Sequence, residues 1–319
     1  MSSADPYGVA MWPAPPGVGL WTPDLFVSVN LILVTCLYLW AARRAGSRMG
    51  SPWPRLRTLA FIAAMALLAL AYLGPFTTWA HLMFWPHMAQ HLIVMMLAAP
   101  FIVLSSPVRL TFLCLGDAGR RRLVRIMRSA PATVLTNPYV TWVLFAAVLL
   151  GVHLTPVMQW VITDHDAMEF VERPLYLVVS LLFYYPLIGT DLIARRPAPG
   201  LRLLSLGLMM IPETVLGMVI HFAPVPLYPA YVESGAALGF DPLADQKFSG
   251  AMMWAIAMVL DGFWMMVAAL EWWRDQETLT RKLERSEARA LADGVHADGV
   301  HATSSSTETA EPRPDRPRS

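Results

Sequence analysis

"WPHMAQHLIVMMLAAPFIVL", residues 85–104, runs its whole length without a charged side chain. As a helix it would extend ~30 Å, the thickness of a bilayer's hydrocarbon core. His87 and His91 stand at its head, four residues apart and so on one helical face. Met83 and Met95 extend that face by a turn in each direction. Whether the stretch spans a membrane or lies inside a soluble domain depends on the chain around it.

The 319 residues are 56% hydrophobic and 15% charged, where a soluble domain carries about 25% charge. Too little polar sequence remains to coat a water-soluble core. Seven apolar runs predict spans at about 24–42, 59–76, 84–104, 139–158, 173–194, 201–222 and 249–272. The expected fold is all-α, a polytopic membrane helix bundle of seven transmembrane helices. Basic residues orient it. Arg43, Arg44, Arg48, Arg55 and Arg57 separate the first two runs, and Arg109 and Arg120 to Arg128 separate the third and fourth. Arg195, Arg196 and Arg202 separate the fifth and sixth, and a last group follows the seventh. All but Arg173 and Lys247 fall in these alternate segments. Cytoplasmic loops carry the excess of Lys and Arg, so the N-terminus is expected outside and the C-terminus in the cytoplasm.

Three regions follow. Residues 1–23 form an extracytoplasmic segment without Lys or Arg; a secretory leader needs a basic start, so the first run is expected to stay as a helix. Residues 24–274 form the membrane domain. Residues 275–319 form a cytoplasmic tail that begins as a charged helix and becomes largely disordered, with a tandem ADGVH at 292–301. A net charge of +1 gives no reason to expect nucleic acid. Cys36 and Cys114 are far apart in sequence and make neither a redox pair nor a disulfide framework.

With that orientation, six of the eight histidines fall in one outer layer: His81, His87, His91, His153, His165 and His221. Imidazole binds copper, zinc and haem iron, and thioether sulfur favours cuprous copper. Met83, Met88, Met95 and Met158 lie in the same layer. Taken singly, each His or Met reads as well as packing or hydrogen-bonded filler. Glu213 and Asp261 lie near the middle of their runs, where an acid faces a partner, a cavity or water. The acids Asp164, Asp166, Glu169 and Glu172 surround His165 in the expected outer loop 159–173, either as a cation-attracting rim or as a solvated loop. HMAQH has the HxxxH spacing of zinc proteases, but Met88 stands in place of the general-base Glu. No GxSxG elbow occurs.

Three segments resemble one family. "HMAQHLIVMMLAAPFIVLSSP" (87–107), "LLFYYPLIGTD" (181–191) and "DQKFSGAMMWAI" (245–256) are similar to motifs of the CtaG-like cytochrome c oxidase assembly proteins, and the likeness covers about residues 20 to 275. It implies a multi-pass protein of the bacterial cytoplasmic membrane, not itself an enzyme, that supplies copper to a haem–copper oxidase. It places His87 and His91 on the family's third-helix histidines, and His153 and His165 where outer-side histidines occur. The expected copper set is therefore His87, His91, His153, His165 and His221, with Cu(I) favoured. Expected partners are an oxidase subunit, a periplasmic copper donor and lipid. Three other readings stay open: a haem-binding membrane electron carrier, a proton or ion pathway through Glu213 and Asp261, and a purely scaffolding role in oxidase assembly.

Overall fold

The computed structural model describes residue 21 and residues 24–189, 191–193 and 195–305, with backbone alone for 283 and 287–305. The expected outer segment 1–23, Trp21 apart, and the end of the tail, 306–319, lie outside the described residues. Every regular element among the described residues is helical. In order they are α1 (Leu25–Met49), α2 (Arg55–Leu73), α3 (Pro75–Ala80) and α4 (Phe84–His91). A π-helical stretch, Leu92–Ala98, continues α4 into α5 (Ala99–Leu104). Next come α6 (Pro107–Cys114), α7 (Asp117–Met127), α8 (Ala130–Leu135), α9 (Pro138–His153), α10 (Val157–Thr163) and α11 (His165–Ala167). A second π-helical stretch, Met168–Glu172, leads into α12 (Arg173–Tyr184), followed by α13 (Pro199–Phe222), α14 (Pro229–Leu238) and α15 (Pro242–Ser305).

The chain divides into two units, Met1–Ala269 and Leu270–Ser319. In the second, Arg281 pairs with Glu277 one helical turn away at 2.6 Å.

Among the described residues, five helices are long and apolar enough to cross a membrane: Leu25–Met49, Arg55–Leu73, Phe84–Cys114, Pro199–Phe222 and Pro242–Ser286. A sixth is reached if the bent pair Pro138–His153 and Val157–Thr163 counts as one span. Two expected boundaries change. The run 139–158 is not one straight helix: α9 ends at His153 and α10 leaves it at 67°. Pro156 lies in the break, and proline has no amide hydrogen to continue the ladder. The run 173–194 is shifted as well. Its helix starts at His165, so the expected loop 159–173 is largely helical, and it stops at Tyr184. Pro186 and the left-handed Gly189 (φ 76°) turn the chain away there.

Helix ends explain themselves locally at α1, where Asp24 accepts from Val27 N at 2.8 Å, and at α9, where Asn137 accepts from Tyr139 N at 3.0 Å. Such caps satisfy amide groups that the first turn leaves free. Two further helices, α4 and α6, have no cap of their own. A distant residue caps each instead. Asp191 accepts from Val108 N at 3.0 Å and Arg109 N at 2.7 Å, and Asp245 serves α4.

The buried side chains form two clusters. One packs α2 on α1 and on the first π stretch, with Tyr38 stacked on Phe61 and with Ala64, Ala71 and Ala98 fully buried. Small residues at such contacts let helices approach closely. The other lies among α4, α9, α12, α13 and the start of α15, and includes Phe84, Met88, Leu149, Tyr176, Phe183 and Trp264. Leu25, Phe26, Ile32, Leu33 and Trp40 of α1 point outward, as apolar side chains facing lipid do. The second cluster encloses the polar groups of interest.

Candidate metal centre

His87 and His91 leave α4 on its inward face, and Asp245 fixes where that helix begins. Its Oδ2 accepts from Phe84 N at 2.6 Å and its Oδ1 from Trp85 N at 3.2 Å. Ser249 Oγ donates to Asp245 O at 2.7 Å. The Phe84 ring then packs against Tyr228, Tyr231 and His87. Both tyrosines are anchored: Tyr231 Oη donates to Ala80 O at 2.8 Å and Tyr228 Oη to His153 O at 2.9 Å.

His153 is the last residue of α9. Its Nδ1 lies 2.9 Å from Leu149 O and 3.1 Å from Tyr176 Oη. A carbonyl oxygen only accepts, so Nδ1 carries the hydrogen and Nε2 keeps its lone pair. That Nε2 is buried without a partner. Ligand histidines are commonly oriented in this way, through a hydrogen bond from the other ring nitrogen.

The lone pairs converge. The nitrogens of His87, His91 and His153 lie within 4.8 Å of one another. His87 Nε2 and His91 Nε2 are 2.8 Å apart. Glu172 brings Oε1 to 3.4 Å from His87 Nε2 and 3.5 Å from His91 Nε2. Glu172 is 3% exposed, His87 1% and His153 2%, so water reaches none of them freely. Both π-helical stretches abut this group, one starting just after His91 and the other ending at Glu172. A π turn shifts the helical phase and is common at functional sites.

Neighbouring charges are arranged in pairs. Arg173, buried beside Glu172, forms an ion pair with Glu169 and lies over the Tyr72 ring at 5.0 Å. With those two charges offset, the Glu172 carboxylate faces the imidazoles of His87 and His91. Below them a cavity is lined by His91 and His153, by Met88, Met95, Met96 and Met253, and by Glu213.

The other expected ligands lie apart. His165 is exposed and its ring lies 5.4 Å from that of His81. Burial holds the His81 imidazole down to about 4, so it is neutral near pH 7. His221 turns its Nδ1 to Lys247 O at 2.7 Å. Met83 and Met158 are buried in packing and do not line the cavity. Glu213 and Asp261 are both buried, close enough to each other to share a hydrogen bond. Glu172 was not among the expected ligands. Its signal is that Glu172, Tyr176 and Ser180 recur every four residues and so share the buried face of one helix.

A family model described as the cytochrome c oxidase caa3 assembly factor matches residues 36–275. The chain is also similar to an uncharacterized protein of Mycobacterium leprae, 25% identical over 303 residues that make up 91% of this chain and 44% of that protein. Uncharacterized proteins of Mycobacterium bovis and Mycobacterium tuberculosis are each 27% identical over 299 residues, 90% of this chain and 44% of theirs. The chain thus spans less than half the length of these curated relatives. No solved structure matches it.

Proposed function

The chain belongs to the family of cytochrome c oxidase caa3 assembly factors, and from that premise we propose that it binds copper and passes it to a haem–copper oxidase. The site is His87, His91 and His153 with Glu172. Read with the basic residues of the alternate loops, it faces the outer side of the bacterial cytoplasmic membrane, in a bundle of seven spans with its C-terminus inside. A periplasmic donor supplies the ion, and an oxidase subunit docking in the membrane receives it.

The observation that carries this reading is three imidazoles whose nitrogens lie within 4.8 Å of one another, with the Glu172 carboxylate against two of them. Its charge favours the cuprous ion. A monovalent cation neutralises Glu172, whereas a divalent ion leaves a net positive charge buried, which is costly in low dielectric. Imidazole is a good ligand for copper in either state, and the thioethers beneath suit Cu(I). Haem fits less well, since imidazoles in contact leave no gap for a macrocycle between them.

Metal analysis of the purified full chain tests the proposal. About one tightly held copper per chain is expected, absent in His87→Ala with His91→Ala. Copper content unchanged in that double variant would sink the assignment.

A further inference from the structure

Outside the histidine centre a further pair of imidazoles meets. The rings of His81 and His165 lie 5.4 Å apart, tilted by 39°. They come from different parts of the chain, since His81 follows α3 and His165 begins α11. The backbone around each is held. Tyr231 Oη donates to Ala80 O at 2.8 Å, and Leu82 N and Met83 N both donate to Trp79 O. Asp164 Oδ1 accepts from Asp166 N at 3.0 Å and from Ala167 N at 3.1 Å, which caps the turn that carries His165.

The two rings differ in their surroundings. His165 is exposed between the exposed acids Asp164 and Asp166. Fixed negative charge of this kind raises the local concentration of a cation. His81 is half-buried, and its Nε2 is buried without a hydrogen-bond partner. Buried polar atoms are rarely left unpaired. Burial keeps this imidazole neutral near pH 7, so it has a lone pair to give. His87 lies near enough to His81 to interact electrostatically, and its Nδ1 is also buried without a partner. Imidazoles thus run from exposed to buried: His165, then His81, then His87.

We propose that His81 and His165 form a separate receiving site for Cu(I), from which the ion passes inward to the histidine centre. The inference rests on the copper reading of that centre for the identity of the ion. Neutral imidazole is a good copper ligand, and cuprous copper is content with two such donors in line. Metal–imidazole bonds are about 2 Å long, so two rings on one linear ion have centres ~6 Å apart. A small turn of the exposed His165 ring supplies the difference from 5.4 Å. Two neutral donors hold the ion less tightly than three imidazoles with a carboxylate beside them, so equilibrium favours the inward step. Transfer exchanges one Cu–N bond for another, and the copper stays cuprous throughout.

The test is an anaerobic Cu(I) titration of the purified full chain in detergent against a chromogenic chelator. Wild type is expected to bind two ions, one tightly and one weakly. His81→Gln with His165→Gln loses the weak ion and keeps the tight one, which also shows that the variant is folded. In stopped-flow mixing with Cu(I) it fills the tight site more slowly than wild type. His165→Gln alone, a change at an exposed position, also loses the weak ion. His87→Ala with His91→Ala does the reverse, losing the tight ion and keeping the weak one. A single ion in wild type that depends on His87 and His91, but not on His81 and His165, overturns the receiving site and leaves the centre standing. A single ion that depends on His81 and His165 alone overturns the centre instead. Equal filling rates in wild type and His81→Gln with His165→Gln refute the inward transfer.

Discussion

Asp245 Oδ2 accepts a hydrogen bond from Phe84 N at 2.6 Å, across 161 positions of sequence. That bond joins the start of α15 to the start of the helix bearing His87 and His91. It gives the segment DQKFSG a physical purpose. Asp245 caps a helix that has no cap of its own, Gln246 accepts from Leu227 N at 2.7 Å and donates to Ile220 O at 3.2 Å, and Gly250 lets α13 come close. Asp191 of the segment LLFYYPLIGTD caps α6 in the same manner.

Asp245→Ala is therefore expected to weaken the fold by about 1–2 kcal/mol, the worth of a lost helix cap. It also releases the orientation of His87, and loss of an outer partner of this kind lowers metal affinity by about 10–100-fold. Asp245→Asn, which can still accept, is milder on both counts. Thermal unfolding and chelator competition on the same preparations measure the two effects. Copper affinity equal to wild type in Asp245→Ala would show that the cap does not orient the site.

Glu172→Gln keeps the side-chain shape and removes the charge that faces the imidazoles. The expected result is a folded protein whose Cu(I) affinity falls by about tenfold or more, because a cation is then buried without its counter-charge. Glu169 pairs with Arg173 instead, so Glu169→Gln acts mainly on stability. Equal loss of affinity in the two variants would contradict the separate roles given to these acids.

Much of this was legible in the sequence because membrane burial leaves a coarse signal. Apolar runs located α1, α2, the third span, α13 and α15, and an interval of four put His87 and His91 on one face. The histidine of α9 could be placed in their layer but not beside them, since which helices touch is a matter of packing rather than hydropathy. The fifth run misled for a specific reason. Asp164, Asp166, Glu169, Glu172 and Arg173 lower its hydropathy, so a helix starting at His165 reads as a loop. Glu172 stayed hidden for the same reason, its charge being matched by partners that only the fold supplies. His165 and His221 were expected in the same layer, yet the fold turns each to another neighbour.

His81 gives a pH signature. Burial lowers its folded pKa to about 4 from an ordinary value of 6.5. The unfolded chain binds this proton more readily, so its contribution to stability is complete above pH 6.5 and is lost as pH falls toward 4. His81→Gln is expected to flatten that part of the profile. Thermal midpoints at intervals between pH 4 and 7 compare the two proteins, and parallel curves would mean that His81 titrates normally.

Gly217 and Gly207, both on α13, make opposite predictions from a single added methyl group. A Cβ at Gly217 would lie 2.9 Å from Gly250 O and 3.0 Å from Trp254 Cβ, so α13 and α15 would have to part. A Cβ at Gly207 would meet only the end of the Met265 side chain, at 3.5 Å. Gly217→Ala is expected to cost about 1–3 kcal/mol through overpacking. Gly207→Ala is expected to be neutral or to stabilise by up to about 1 kcal/mol, because alanine is the better helix former. Unfolding midpoints decide it: two variants of equal stability would mean that the helices do not meet at Gly217.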